Sequence, residues 1–307
     1  MLPLTSLKTL TPTLALEGIT KVYPNLRRAL DDVTISIGTG VFGLLGPNGA
    51  GKSTLMEILS GGLAFERGRA VLGGEIDLDR HAPEWRRHLG YMPQSFDFVP
   101  NMTGREVLEE SALLLGLSPS RTRERMDALL ERVNLEWAAG RDAAGYSRGM
   151  KQRLAIAMAI LGDPLLLLLD EPTAGLDPEE RVFFRELLAE VADTRVVILS
   201  SHIVTDIERC CSRVGVIVKG RLLFDGAPSA LTASLSQRVW EMPVTTAQID
   251  PLVRSRRLVA LTEREARAYA RVLSEDAPSP DAVRVDATLE DAYMEALSAT
   301  GIAMEEA

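Results

Sequence analysis

Gly46-Pro47-Asn48-Gly49-Ala50-Gly51-Lys52-Ser53-Thr54 is a glycine-rich turn set between two apolar segments of different period. The preceding run, Val41 to Leu45, suits a buried strand, and Ser53 to Leu59 has helical spacing. Glycines let such a turn curl until its N–H groups, from Asn48 to Lys52, point inward at phosphate oxygens. The positive end of the following helix faces the same place. In a loop of this kind Lys52 bridges the β- and γ-phosphates and the Ser53 hydroxyl holds Mg²⁺. With glycine at about 7% of residues, a chance match to the four fixed positions has odds on the order of 1%. The stretch reads as a nucleoside-triphosphate site.

A chain of 307 residues can bury one large core, or a main domain with a smaller one beside it. Its hydrophobic content of 46% and charged content of 25% are ordinary for a globular protein. A formal charge of −9 argues against a general nucleic-acid binder, so no nucleic-acid partner is expected. The longest apolar runs, Leu154 to Leu161 and Leu165 to Leu169, are too short to span a bilayer. The N-terminal segment is broken by prolines and threonines and reads as a loose arm over residues 1–13 rather than a signal peptide. Cys210 and Cys211 are adjacent, in an expected helix, with no third ligand nearby. They read as reduced thiols, one of them buried, and cytosol is the compartment they suggest.

Residues 14–45 alternate as strands, punctuated at Tyr23-Pro24-Asn25 and Gly38-Thr39-Gly40. Val71 to Gly74 and Leu89 to Pro93 read as further short strands. From about Thr103 to Gly140 apolar residues recur at helical spacing among many charges, a helical insert in an α/β body. Beyond it, strands at Leu165 to Asp170, Val196 to Ser200 and Val214 to Val218 alternate with helices at Pro178 to Val191 and Ile203 to Cys211. That alternation predicts a mainly parallel sheet with helices on both faces, and ligands at the carboxyl ends of its strands. After Pro228 the pattern weakens into short strand-like pieces, followed by a helix over Leu289 to Leu297.

Two further elements carry chemistry. Leu165 to Leu169 make a strand buried on both faces, and Asp170 emerges at its end, where a carboxylate can bind the Mg²⁺ shell opposite Ser53. Glu171 follows, placed to polarise a water for attack on the γ-phosphate. Tyr146-Ser147-Arg148-Gly149-Met150-Lys151-Gln152-Arg153 opens a helix, and a serine and glycine there offer an anion one hydroxyl and free backbone N–H groups.

In these stretches the chain resembles the nucleotide-binding subunit of an ATP-binding-cassette (ABC) transporter. GPNGAGKST resembles that family's Walker A, LLLLLDEP its Walker B with catalytic glutamate, and YSRGMKQR its signature motif. Gln94 in YMPQ resembles the Q-loop, Ala174 to Asp177 the D-loop, and His202 in SSH the switch histidine. Tyr23 sits where the family stacks an aromatic ring on adenine. The resemblance covers residues 14 to about 226 and implies a P-loop NTPase cassette. Its parts are a mainly parallel sheet core, an antiparallel β subdomain and a helical subdomain at about 95–162, within a cassette of 14–236. Residues 237–307 are expected to form a small C-terminal α+β subdomain.

The resemblance further implies ATP and Mg²⁺ as ligands, with Gln94 touching the metal or the lytic water and Asp177 contacting an opposite subunit. Ser147 and Gly149 would reach the γ-phosphate held by that second ATP-binding subunit, so two cassettes, expected as a homodimer, must close head to tail. The signature departs from the commonest form, LSGGQ, at Tyr146, Arg148 and Met150. Arg148 stands against the helix dipole and becomes favourable once a triphosphate docks. The YSRGM form, with Leu289-Glu290-Asp291-Ala292-Tyr293, resembles the branch that energises export permeases encoded as separate chains. A location at the inner face of the cell membrane, held by the permease, follows from that branch. The competing expectation is a soluble ABC ATPase acting on a macromolecular assembly. Against it stand the single cassette, where ribosome-acting members usually carry two, and the lack of a coiled-coil insert of the chromosome type.

Overall fold

The computed structural model describes residues 11–255, 257–264 and 267–299. Residues 1–10 of the expected N-terminal arm lie outside them. The chain opens with strands β1 (Leu14–Val22), β2 (Arg28–Ile37) and β3 (Gly40–Leu45), then helix α1 (Lys52–Leu59). β4 (Arg67–Leu72), β5 (Ile76–Asp77), α2 (Ala82–Arg87) and β6 (Leu89–Met92) follow. The insert contains α3 (Gly104–Leu114) and α4 (Pro119–Arg132) and leads into α5 (Arg148–Leu161). Alternation resumes with β7 (Leu166–Asp170), α6 (Pro178–Ala192), β8 (Val196–Ser201), α7 (Val204–Cys210), β9 (Arg213–Val218) and β10 (Arg221–Gly226). Beyond these come α8 (Pro228–Ala233), β11 (Val239–Val244), α9 (Thr246–Arg254), β12 (Leu258–Arg264), β13 (Arg267–Leu273), β14 (Val283–Arg284) and α10 (Leu289–Ala299).

The central sheet runs β10-β9-β3-β8-β7-β6, with every pairing parallel except β9 with β10. Its residues alternate between two cores, as the period of two requires. Leu166 and Leu168 join Ile198, Leu44 and α1 in one cluster, against the antiparallel sheet β2-β1-β4-β5. Leu167 and Leu169 join Leu199, Val41 and the helices of the insert in the other. Burial on both faces is why the strand could hold four leucines in a row, Leu166 to Leu169. β3, β8 and β7 are neighbours, so the glycine turn after β3, His202 after β8 and Asp170 with Glu171 at the end of β7 lie at one edge of the sheet.

The helical insert is anchored by local chemistry. Thr103 and Glu106 close a capping box on α3: the Thr103 hydroxyl accepts from the Glu106 N–H (3.2 Å), and Glu106 accepts from the Thr103 N–H (2.8 Å). Tyr146, one of the signature departures, is buried and donates its hydroxyl to the Ala138 carbonyl at 2.7 Å. A Cβ at Gly104 would meet that hydroxyl oxygen at 2.3 Å, so the buried tyrosine leaves room only for glycine at the start of α3.

Two expectations need correction. Gly73 and Gly74 are not strand but a turn, both with positive φ (62° and 75°), because β4 ends at Leu72. Cys211 lies one residue beyond α7, with extended backbone, and is the buried cysteine of the pair. The short pieces after Pro228 are one four-stranded antiparallel sheet, β12-β13-β11-β14, with its own core of Trp240, Met242, Val244 and Val272. α10 leaves that sheet and returns: Leu289, Tyr293 and Leu297 belong to the main core with Val204 and Ile207 of α7. Its buried Asp291 is gripped by Arg271 of β13 through both carboxylate oxygens (2.7 and 2.6 Å).

Candidate active site

The turn Gly46 to Thr54 is shaped by close approaches that exclude side chains. A Cβ at Gly46 would lie 2.3 Å from the Ile217 carbonyl, and one at Gly51, where φ is 113°, would lie 2.6 Å from the Ala29 carbonyl. Only glycine fits either position, and Ala50 is buried behind the turn. Lys52 opens α1 but bends back to donate to the Gly46 and Pro47 carbonyls of its own loop. Burial pushes its pKa below the ordinary lysine value, while the nearby Glu171 and Asp170 carboxylates pull it upward. The result is a desolvated ammonium at the floor of a cleft of about 270 Å³.

Tyr23, Pro47, Asn48, Gly49, Gly51, Lys52, Ser53 and Thr54 line that cleft, with Gln94 and Glu171 on its other side. The Tyr23 hydroxyl meets Thr54 Oγ1 at 3.3 Å, which fixes the ring at the mouth. Two lining residues were not foreseen. Arg27 ends the turn that begins at Tyr23, whose N–H bonds the Arg27 carbonyl at 2.9 Å, and its guanidinium donates to the Gly49 carbonyl at 3.4 Å. Ala29 lines the cleft from the start of β2. Spacing from Tyr23 was the available signal for Arg27.

Asp170 ends β7 in register with Ser200 of β8, and Glu171 follows it. The Ser200 hydroxyl donates to Asp170 Oδ1. Burial raises the Asp170 pKa above the ordinary value of 3.8, against the lowering effect of that hydrogen bond. The Glu171 N–H donates to the Ser200 carbonyl at 3.1 Å, and its φ of 53° is left-handed. For a residue with a Cβ this conformation costs about 1–3 kcal/mol and recurs where geometry is set by chemistry. It directs the Glu171 side chain into the cleft wall, 7% exposed. His202, just past the end of β8, places Nδ1 at 2.7 Å from Glu171 Oε2. The contact is not aligned as a hydrogen bond, so this buried oxygen has no bonded donor among the described residues. Ser200 escaped sequence reading because its role depends on sheet register.

Ser147, Gly149 and Asp177 are not among the cleft's lining residues. They gather in a second group. Ser147 caps α5, accepting from the Met150 N–H at 3.2 Å, and is exposed; Asp177 caps α6, accepting from the Glu180 N–H at 2.9 Å. α5 and the 174–177 loop are clasped together. A Cβ at Gly149 would stand 1.6 Å from Glu180 Oε1, one at Gly175 would stand 2.5 Å from the Arg148 guanidinium, and Gln152 donates to the Ala174 carbonyl at 3.4 Å. Arg148 thus lies flat against the loop that precedes Asp177.

The residues fit a triphosphate and Mg²⁺ on chemical grounds. The N–H-lined glycine turn and the Lys52 ammonium suit phosphate oxygens. Ser53, Gln94 and Asp170 offer hydroxyl, amide and carboxylate oxygens, the hard donors Mg²⁺ takes. Among the described residues no group of three or more His, Cys, Asp or Glu side chains is spaced to hold a metal alone. Phosphate oxygens and water would therefore complete the shell, as is usual for this ion.

The family described as ABC transporter matches residues 30–174. The chain is 39% identical over 210 residues to the Nod factor export ATP-binding protein I of Paraburkholderia xenovorans (strain LB400), covering 68% of this chain and 69% of that one. It is 41% identical over 221 residues to the human phospholipid-transporting ATPase ABCA7, covering 71% of this chain but only 10% of that protein. Among solved structures, an ATP-binding subunit of an ABC transporter superposes with a TM-score of 0.66 at 30% identity, covering 73% of this chain and 93% of that one. No helix among the described residues is long and apolar enough to cross a membrane.

Proposed function

Because the chain belongs to the ABC transporter family as an ATP-binding, ATP-hydrolysing subunit, we propose that it powers a separate transmembrane permease, in the direction of export, as one of two identical cassettes. One observation carries the pairing: Ser147, Gly149 and Asp177 are built and capped, yet lie outside the cleft that Lys52 and Glu171 line. A site with a triphosphate cradle on one surface and an anion-binding helix end on another is completed by a second copy turned head to tail. The export direction rests on the likeness to Nod factor export proteins and on the YSRGM sequence. In this reading residues 14–236 form the cassette, residues 95–162 its helical part and residues 237–307 an accessory subdomain, and the subunit works in the cytoplasm against the inner face of the membrane.

Each residue then has a chemical task. The Tyr23 face stacks on adenine, which every orientation of the base edge permits. Residues Gly46 to Thr54 bind the phosphates through backbone N–H groups, and Lys52 exchanges its loop carbonyls for β- and γ-oxygens. Ser53, Asp170 and Gln94 would hold Mg²⁺, which when bound would neutralise phosphate charge. Glu171 accepts a proton from a water, as the water oxygen bonds to the γ-phosphorus and the bond to the β–γ bridging oxygen breaks. His202 holds Glu171 and the departing phosphate in line. Ser147 and Gly149 of the second copy donate to the γ-phosphate, and Asp177 meets that copy across the closed interface. Loss of the γ-phosphate removes the bridge and lets the cassettes part.

The test is to purify the chain from its native membranes and identify what accompanies it. ATPase activity that co-purifies with a protein of several apolar spans supports the reading. Recovery with ribosomes or another assembly, and none with membranes, would replace it by a non-transport ATPase.

A further inference from the structure

Asp206 is a buried carboxylate, 6% exposed, that the hydrolysis scheme above leaves unused. It lies on α7, four residues after His202. Its Oδ2 accepts from the Thr173 hydroxyl at 2.6 Å, and its Oδ1 is 3.5 Å from Arg181 Nη1. Thr173 is itself 2% exposed and stands two residues after Glu171, in a turn closed by the Ala174 N–H to the Glu171 carbonyl (3.2 Å). Arg181 stands four residues after Asp177 and also donates through Nε to the Leu176 carbonyl (3.2 Å). One carboxylate therefore touches the turn that carries Glu171, the helix that Asp177 caps and the helix that follows His202.

Docking α7 does not require this charge. Val204 and Ile207 already seat it in the main core, and replacing a buried ionic group by an apolar one of similar volume is often neutral or stabilising. A carboxylate that must be stripped of water is favourable only while its donors stay in place. Asp206 thus penalises any displacement of Thr173 or Arg181 relative to α7, and what it protects is geometry.

We propose that Asp206 is a positioning residue for ATP hydrolysis, fixing Glu171, His202 and the 174–177 loop relative to one another through Thr173 and Arg181. The proposal rests on the reading of Glu171 and His202 given above. It makes pairing of two cassettes, felt at Asp177, mechanically continuous with the Glu171–His202 contact inside one chain.

The test compares Thr173→Val, Thr173→Ser, Asp206→Asn and the double variant Thr173→Val/Asp206→Asn in the full chain, measuring kcat and KM for ATP together with the thermal midpoint. Valine preserves the volume of threonine and removes the hydroxyl; serine keeps the hydroxyl. Thr173→Val and Asp206→Asn are expected to lower kcat by about 10- to 100-fold, the equilibrium factor of a hydrogen bond to a charged group. KM should stay within about twofold, Thr173→Ser should keep the parental kcat, and the double variant should be no slower than the slower single one. Parental kcat in Thr173→Val overturns the proposal. So does a Thr173→Ser variant as slow as Thr173→Val with the thermal midpoint falling in both, which marks packing alone. Should Glu171→Gln turn over at the parental rate, the reading of the site fails first, and that result is distinguishable because it does not involve Thr173.

Discussion

His202 Nδ1 stands 2.7 Å from Glu171 Oε2, while the Glu171 backbone is held left-handed by the Ser200 carbonyl. These two contacts fix where the carboxylate lies in the cleft wall. Glu171→Gln preserves shape and removes basicity. We expect ATP binding to persist and turnover to nearly stop, a loss of about 3 kcal/mol or more in transition-state stabilisation. Equilibrium nucleotide binding and phosphate release measure these two effects, and light scattering detects the ATP-bound dimer expected to accumulate. Hydrolysis at the parental rate would remove Glu171 as the base.

Ser147 acts across the interface in the proposed assembly, so its loss should be silent in one copy. Ser147→Ala is expected to leave ATP affinity of the isolated monomer unchanged and to weaken ATP-driven pairing and hydrolysis, by about 3–4 kcal/mol in the rate. A matching loss of nucleotide affinity in the monomer would contradict the cross-subunit role.

Gly149 is constrained inside its own chain as well. A methyl there would stand 1.6 Å from Glu180 Oε1. Gly149→Ala should push the Glu180 carboxylate aside, a movement open to the end of a half-buried, flexible side chain, so denaturant unfolding should change by less than about 1 kcal/mol. Activity that falls while stability holds isolates the demand for a bare backbone facing phosphate.

Asp170 links stability to pH. Burial raises its folded-state pKa above the unfolded value of 3.8, so its contribution to stability is complete below that value and is lost as pH rises through the folded pKa. Asp170→Asn, which cannot ionise, should melt higher than the parent at neutral pH. The difference should close as pH falls toward 3.8. A melting advantage that does not change with pH would point to packing rather than charge.

Much of this site was legible because its motifs are contiguous: Gly46 to Thr54, Leu165 to Glu171 and Ser147 to Gly149 each carry the end of an element and its chemistry in one stretch. What escaped were contacts between stretches. Ser200 bonds Asp170 across a strand pair, Glu180 sits on Gly149, and Arg148 lies on Gly175. No periodicity encodes these, since they depend on register and helix packing. The helices α2 and α9 escaped for a different reason, having one buried residue and none. β12 is exposed over its second half, so it gave only a weak alternation, and the sheet around it emerges from pairing with β13.

The strand of leucines has a consequence for how the chain finds its fold. Leu165 to Leu169 are identical, so sliding β7 by one residue, with Leu165 in the place of Leu166, puts leucine where leucine was at all four apolar positions. Its apolar contacts are degenerate, and hydrophobic burial cannot tell the alignments apart. The polar end breaks the tie: only one alignment brings Asp170 to the Ser200 hydroxyl and the Glu171 N–H to the Ser200 carbonyl. The pair that readies the site for chemistry is also the index mark by which the central sheet is threaded.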